Sequence, residues 1–133
     1  MSQDEVADAV RAAVAEAVGV DVDEVTDAAT LTHDLGAESI DLLDMLFRIE
    51  RTVGVKIEAA ELAGYIQGGI PDDEFGDPHE VVTARGLAQL KLVMPQIDEA
   101  ALVGRLRATA VMDLFTTANL VQLVRSRLPV RSA

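Results

Sequence analysis

The chain has 133 residues, a formal net charge of −12 and no cysteine. This length suits one domain whose core needs no covalent cross-link, and the missing thiols exclude disulfide bonds and cysteine-ligated metals. The acidity argues against nucleic acid or an anionic membrane as a partner, and no apolar run approaches the roughly 20 residues of a membrane span. The amino terminus has no secretory signal pattern, so we expect a soluble, cytoplasmic monomer.

The acidic charge is concentrated in one half of the chain. Residues 1–62 hold 15 acidic and four basic residues, a net charge of −11, whereas residues 63–133 hold eight and seven, a net charge of −1. Such a surface can serve solubility alone, or it can steer basic patches of other proteins toward one site. The concentration of charge around one serine, Ser39, favours the second interpretation.

The first predicted helix has signals at both ends. Ser2 and Glu5 form an S-x-x-E capping box, and apolar residues then recur at helical spacing as far as a glycine, Gly19. These signals predict a helix from about Gln3 to Val18.

A long connection, residues 20–38, follows this helix and is rich in Asp and Thr. A connection of this length in a compact domain is more often functional than not. Four apolar residues are expected to anchor it over the helices: Val22, Val25, Ala28 and Leu31.

A second helix is predicted from about Ser39 to Val53, and its apolar residues form two faces rather than one. The face expected to enter the core consists of Leu42, Met45, Leu46, Ile49 and Val53. The other face consists of Ile40, Leu43 and Phe47. It suits either further burial or contact with an acyl chain or a partner protein.

Ser39 follows a turn at Gly36 and begins the second helix. At a helix start, free backbone N–H groups and the positive end of the helix dipole favour a phosphate on the hydroxyl. The charged residues around it are mostly acidic, with one opposing base: Asp34, Glu38, Asp41, Asp44 and Glu50 against Arg48. A serine in these surroundings lacks the neighbouring base and oxyanion donors of a nucleophile, so it suits modification by another protein.

The residues around Ser39 resemble those of a known family. Residues 34–41 read DLGAESID, which resembles the attachment motif of acyl carrier proteins, usually written DLGADSLD. The resemblance covers roughly the first 60 residues and returns at residues 115–124, FTTANLVQLV, which are similar to the family's last helix. It implies an all-α, acyl-carrier-protein-like helical bundle. It also implies that Ser39 carries covalent 4′-phosphopantetheine, whose thiol holds an acyl chain as a thioester.

The resemblance implies partners as well. It predicts a carrier that catalyses nothing itself and serves fatty-acid, specialised lipid or polyketide biosynthesis. A separate phosphopantetheinyl transferase would load Ser39 from coenzyme A with Mg²⁺, and a ketosynthase, an acyl-ACP synthetase or an acyltransferase would then act on the carrier. Basic patches on these enzymes are expected to dock near Ser39, on a surface made of Asp34, Glu38, Asp41, Asp44, Phe47 and Arg48.

The sequence departs from the pattern of the family after Glu58, where about 50 extra residues precede the last helix. We predict that residues 1–133 form a single carrier domain, with an inserted segment of additional helices at about 59–112 packed on it. The last helix is predicted from about Thr117 to Leu128, closed by Pro129, and the final residues are expected to fray. The insertion would either shelter a longer acyl chain or form a recognition surface for one dedicated enzyme.

Local patterns predict several elements inside this insertion. Helices are expected at residues 59–66 and 83–94, the second with Leu87, Leu90 and either Leu92 or Val93 on its apolar face. A short helix capped by Asp98 is expected to carry Ala101, Leu102 and Leu106. Residues 70–80, IPDDEFGDPHE, are expected to form a turn-rich loop.

Other interpretations of Ser39 stay open. Serine is a favoured helix N-cap, so the chain could be a non-carrier helical interaction protein. His33, Asp34 and Ser39 could form a hydrolase site, although no GxSxG elbow is present. An aminoacyl or peptidyl carrier of a nonribosomal pathway would share the bundle and the modified serine, although Gly36-Ala37-Glu38 points to an acyl cargo. The two histidines lack a metal-binding spacing, so no metal site is expected.

Overall fold

The computed structural model describes residues 2–128, and in this range it contains helices and isolated bridges but no β-strand. The all-α fold class is confirmed. In chain order the α-helices are α1 (Gln3–Val18), α2 (Ser39–Val53), α3 (Ala59–Gln67), α4 (Asp72–Phe75), α5 (Ala84–Val93), α6 (Glu99–Leu102) and α7 (Thr117–Ser126). Two 3₁₀ helices span Val22–Glu24 and Ala108–Leu114. None of the helices in this range has the length and apolar character that a membrane span requires.

The chain divides into two compact units. The first, here called the carrier unit, consists of residues 2–58 and 116–128 and holds α1, α2 and α7. The second, here called the inserted unit, is Ala59–Phe115 and holds α3 to α6. The single carrier domain stays a prediction, as does the packing of the insertion on it.

Local capping fixes both ends of α1. The Ser2 hydroxyl accepts a hydrogen bond from the Glu5 N–H (3.2 Å), and the Glu5 carboxylate accepts one from the Ser2 N–H (3.4 Å). At the other end, Gly19 adopts a left-handed φ of 74°, and its N–H donates to the Ala15 carbonyl oxygen. The predicted bounds of the first helix are therefore confirmed.

The core of the carrier unit lies along one face of α1, which packs against both α2 and α7. Val6, Val10 and Val14 recur every four residues on this face and are fully buried. The small side chains allow close approach of the two partner helices. These helices contribute Met45, Leu46, Ile49, Leu120, Val121, Leu123 and Val124 to the core.

The connection between α1 and α2 is anchored partly by residues that differ from the predicted ones. Val25 and Leu31 are buried, as predicted, but Val22 is 49% exposed and Ala28 is exposed, so the prediction for these two is wrong. Ala29 is buried instead. The reason is a tertiary contact: the Ala29 carbonyl oxygen accepts a hydrogen bond from the Thr117 N–H at the start of α7 (3.0 Å).

The last helix ends two residues before the predicted Leu128. The Ser126 hydroxyl donates to the Leu123 carbonyl oxygen (2.6 Å), and the Arg127 N–H bonds back only three residues, to Val124 (3.1 Å). Such bonds tighten the final turn and end the α-helical ladder. Pro129 and the tail expected to fray lie outside the described residues.

In the inserted unit, α5 packs against α3, α4 and α6.

Residues 70–80 were expected to form a turn-rich loop, but they contain the short helix α4, which ends in the buried Phe75, so that prediction is wrong in part. On α5, Val93 is buried while Leu92 is 77% exposed. The helix after Asp98 ends at Leu102, and the buried Leu106 lies beyond it rather than on it. The apolar residues of the unit that are buried are Leu62, Ile66, Phe75, Val82, Leu87, Leu90, Val93, Met94, Ile97, Leu106, Val111 and Phe115.

Gly86 lies where α5 has no room for a side chain. A Cβ atom built on it would be 2.7 Å from the Phe75 carbonyl oxygen and 2.7 Å from Val82 Cγ1. Gly86→Ala should therefore lower the free energy of unfolding by about 1–3 kcal/mol, as overpacking does. Chemical denaturation of this variant and of the wild type measures the change.

Gly64→Ala is the matched control, because Gly64 lies in α3 of the same unit and a Cβ atom there meets nothing within 4 Å. Alanine favours a helix interior over glycine, so this variant should be unchanged or more stable by up to about 1 kcal/mol. Equal stabilities of the two variants would contradict the close approach at Gly86.

Candidate functional site

The start of α2 presents Ser39 to solvent. Glu38 is the N-cap residue, with extended backbone, and Ser39 is the first helical residue. The first bond of the helical ladder runs from the Leu42 N–H to the Glu38 carbonyl oxygen (3.0 Å), so the amides of Ser39 and Ile40 lie ahead of the ladder. These amides and the positive end of the helix dipole favour an anionic group on the exposed Ser39 hydroxyl.

The surroundings of Ser39 do not activate its hydroxyl. Among the described residues, none is hydrogen-bonded to it, including His33 and Asp34. An enzymatic nucleophile needs a base at hydrogen-bond distance that is itself oriented by a third group. In the part of the chain that the structure describes, Ser39 thus has no base placed as an enzymatic nucleophile requires.

Asp34 lies in the turn before α2 and is bonded to Thr30. Its Oδ2 atom accepts from the Thr30 N–H (2.9 Å), and its own N–H donates to the Thr30 hydroxyl oxygen (2.9 Å). Hydrogen bonds from the backbone N–H of Thr30, and then from its side chain, lower the pKa of Asp34 below its ordinary value. The ionised form thus stabilises the folded chain above the ordinary pKa of about 3.9, and this contribution is lost as the pH falls through the lowered value.

The other predicted docking carboxylates differ in how much charge they present. Asp41 caps the helix by accepting from the Glu38 N–H (2.9 Å), while Glu38 itself is exposed. Asp44 and Glu16 share the guanidinium of Arg48, at 3.0 Å and 2.8 Å respectively. One cation thus offsets part of the negative charge at this position, so Glu38 and Asp41 present the stronger negative field beside Ser39.

An exposed apolar row runs along α2 from Ser39. Ile40, Leu43 and Phe47 are 70%, 54% and 56% exposed, at spacings of three and four residues that place them on one face. The guanidinium of Arg51 lies 5.7 Å from the centre of the Phe47 ring, at cation–π distance. The sequence left open whether this second face is buried or is free for contact. In the structure the face is exposed, so it is free for contact.

Several residues outside the docking surface predicted from sequence lie beside its predicted members in the structure. Ile40 and Leu43 share the face of Phe47, and Arg51 follows Phe47 by four residues, a spacing that signals contact on a helix. Glu16 of α1 reaches Arg48 across the packing of two helices, which no local pattern reveals. The sequence gives only a weak signal for the bonds of Thr30, namely a threonine four residues before an aspartate in a turn.

The sequence pattern of the family described as "Phosphopantetheine attachment site" matches residues 8–66. An acyl carrier protein of Thermotoga maritima is 41% identical over 61 residues, which are 46% of this chain and 75% of that protein. The chain belongs to the acyl carrier protein family. An acyl carrier protein of Petrotoga mobilis is 40% identical over 62 residues, 47% of this chain and 73% of that protein. One of Saccharopolyspora erythraea is 31% identical over 64 residues, 48% of this chain and 67% of that protein.

Membership confirms the resemblance and makes the chain a phosphopantetheine-bearing acyl carrier. The prosthetic group of the family, covalently bound 4′-phosphopantetheine, fits the start of α2. Its attachment requires an accessible hydroxyl and tolerance of a phosphodiester charge, and the exposed Ser39 beside free helix N–H groups offers both. Within residues 2–128, no group of three or more His, Cys, Asp or Glu residues is arranged to hold a metal ion.

The apolar row should be free surface rather than part of the core. Leu43→Ala and Leu46→Ala make the same chemical change three residues apart on α2, where Leu43 is exposed and Leu46 is 6% exposed. Leu43→Ala should change the free energy of unfolding by less than about 0.5 kcal/mol, whereas Leu46→Ala should cost about 2–5 kcal/mol. Urea denaturation measures both, and equal costs would mean that the row is buried.

Proposed function

We propose that Ser39 is the attachment residue for 4′-phosphopantetheine and that the arm carries an acyl chain as a thioester between separate enzymes. The observation that supports this most is the position of Ser39: it is the exposed first residue of α2 in a chain of the acyl carrier protein family. The protein itself catalyses no step. Because the relatives that match are acyl carrier proteins and Gly36-Ala37-Glu38 precede the serine, the cargo is an acyl rather than an aminoacyl group.

A phosphopantetheinyl transferase would perform the attachment with coenzyme A and Mg²⁺. The Ser39 oxygen forms a bond to the phosphorus that carries pantetheine, and the bond from this phosphorus to the bridging oxygen of the pyrophosphate breaks. The nucleoside bisphosphate leaves, and the hydroxyl proton passes to a base of the transferase. The chain contributes the exposed hydroxyl and the amides at the start of α2, which favour the new phosphodiester. The bound arm supplies the thiol that this cysteine-free chain lacks.

The docking surface for the transferase and for acyl-processing enzymes would combine charge with apolar contact. Its acidic part is Asp34, Glu38, Asp41 and Asp44, and its apolar part is the row that ends at Phe47, flanked by Arg48 and Arg51. Acidic side chains steer a basic partner and fix its orientation, while burial of apolar side chains supplies affinity. Fatty-acid, specialised lipid or polyketide biosynthesis would supply the acyl chain.

Intact mass measurement tests the attachment residue. The wild type, incubated with a broad-specificity transferase, Mg²⁺ and coenzyme A, should gain one phosphopantetheine mass, and Ser39→Ala should gain none. Ser2→Ala is the matched control, because Ser2 is also an exposed serine at a helix start. This variant should be labelled like the wild type. Labelling of Ser39→Ala, or no labelling of the wild type, would refute the proposal.

A salt series tests the acidic part of the docking surface. Glu38→Lys should lower kcat/KM for the transferase at low salt and much less at high salt, because steering between exposed charges is screened. Asp23→Lys, the same charge change in the exposed 3₁₀ turn after α1, should leave kcat/KM near the wild-type value. Equal effects of the two variants would show that only the overall net charge matters.

A further inference from the structure

The turn before Ser39 is closed by a reciprocal pair of hydrogen bonds. The Thr30 N–H donates to Asp34 Oδ2, and the Asp34 N–H donates to the Thr30 hydroxyl oxygen, both at 2.9 Å. The Thr30 carbonyl oxygen also accepts from the N–H groups of Asp34 (3.2 Å) and Leu35 (3.1 Å). Thr30 and Asp34 therefore fix the two ends of a five-residue turn against each other.

This turn leads directly to Ser39. The Ala37 N–H donates to the Leu31 carbonyl oxygen (2.9 Å), and both of these side chains are buried. Gly36, with a left-handed φ of 72°, allows the chain to reverse between them. Only Glu38 then separates the anchored Ala37 from Ser39. A change in the shape of the turn would therefore move the serine.

The same turn is fixed to the rest of the carrier unit through α7. Thr30 forms an antiparallel bridge with Thr116, the N-cap residue of α7. Just before it, the Ala29 and Asp27 carbonyl oxygens accept from the Thr117 and Ala118 N–H groups, both at 3.0 Å. One side of the turn is thus held by backbone bonds to a packed helix, whereas the side that carries Asp34 depends on Thr30.

We propose that Thr30 and Asp34 are a positioning pair that sets the presentation of the Ser39 hydroxyl to the transferase. This inference rests on the proposed attachment at Ser39 and revises the role of one residue of the docking surface. A docking carboxylate acts through its charge, whereas a positioning carboxylate acts as a hydrogen-bond acceptor for Thr30. The two roles predict different effects for the same substitutions. Asparagine at position 34 retains an acceptor for the Thr30 N–H without the charge. Valine at position 30 removes the hydroxyl oxygen that accepts from the Asp34 N–H and changes no charge.

Steady-state kinetics of phosphopantetheine transfer from coenzyme A separates the two roles. Thr30→Val and Asp34→Ala should each lower kcat by about fivefold to tenfold, the factor expected when one or two hydrogen bonds that orient a reacting group are lost. Thr30→Ser and Asp34→Asn should keep kcat within about twofold of the wild-type value, whatever happens to KM, because each keeps the acceptor atom of its own bond in the pair. The double variant Thr30→Val with Asp34→Ala should be slower than either single variant, because each single substitution leaves the other bond of the reciprocal pair in place.

The opposite pattern would overturn the inference. If Asp34 acts by docking, Asp34→Asn would raise KM at low salt as much as Asp34→Ala does, and Thr30→Val would behave like the wild type. A purely structural role would overturn it as well, and Ser2→Ala is the control. That variant loses the cap of α1 in the same unit and should lose stability while retaining kcat. If kcat instead follows the melting temperature across all variants, the positioning role is wrong.

Failure of this inference is distinguishable from failure of the proposed function. The end-point mass after long incubation reports whether Ser39 is the attachment residue, whereas the initial rate reports how well the hydroxyl is presented. If Thr30→Val fails to fold, as judged by circular dichroism, the positioning role is tested by the conservative variants Thr30→Ser and Asp34→Asn alone. A large loss of kcat in either Thr30→Ser or Asp34→Asn, each folded, would overturn the positioning role.

Discussion

Burial of the valine face of α1 is the constraint on which the carrier unit depends. Val6, Val10 and Val14 are fully buried, and α1 contacts both α2 and α7. Because α2 buries one face through Met45, Leu46 and Ile49, its opposite face remains exposed with Ile40, Leu43 and Phe47. The same packing that stabilises the unit therefore determines which side of α2 other proteins can reach, and Ser39 lies at the start of that side.

The carboxylates around Ser39 are more than a negative field. Asp41 caps α2, Asp34 closes the preceding turn, and Asp44 shares Arg48 with Glu16, so these acidic residues, which are expected to dock, have partners within the chain. A hydrogen-bonded carboxylate still carries its charge and still attracts a basic partner. Its substitution, however, changes local structure and charge together. Only pairs of variants that separate the acceptor from the charge can assign a role to such a residue.

Elements with local signals could be predicted from the sequence, whereas those that depend on tertiary contacts could not. The bounds of α1 follow from Ser2, Glu5 and Gly19, and the start of α2 follows from its motif and periodicity. The burial of Ala29 depends on a bond from α7. The four-residue α4 is too short for a periodic pattern, and Leu106 is buried without helical spacing. At the candidate site, the sequence predicted that Ser39 starts α2 and lies among acidic residues, but it predicted neither the Thr30 bonds nor the pairing of Arg48 with Glu16.

The backbone bonds at the start of α7 have a consequence for the long connection that precedes this helix. The helix is located by the Asp27 and Ala29 carbonyl oxygens and by its own packing on α1, not by the length of the connection that leads to it. The entropy of closing a connection grows only slowly, by about 0.6 kcal/mol for each doubling of its length. A helix held in this way tolerates a long insertion before it. The position before Thr116 is where the chain re-enters the carrier unit after Ala59–Phe115, and the bonds that fix α7 there are made within the carrier unit itself.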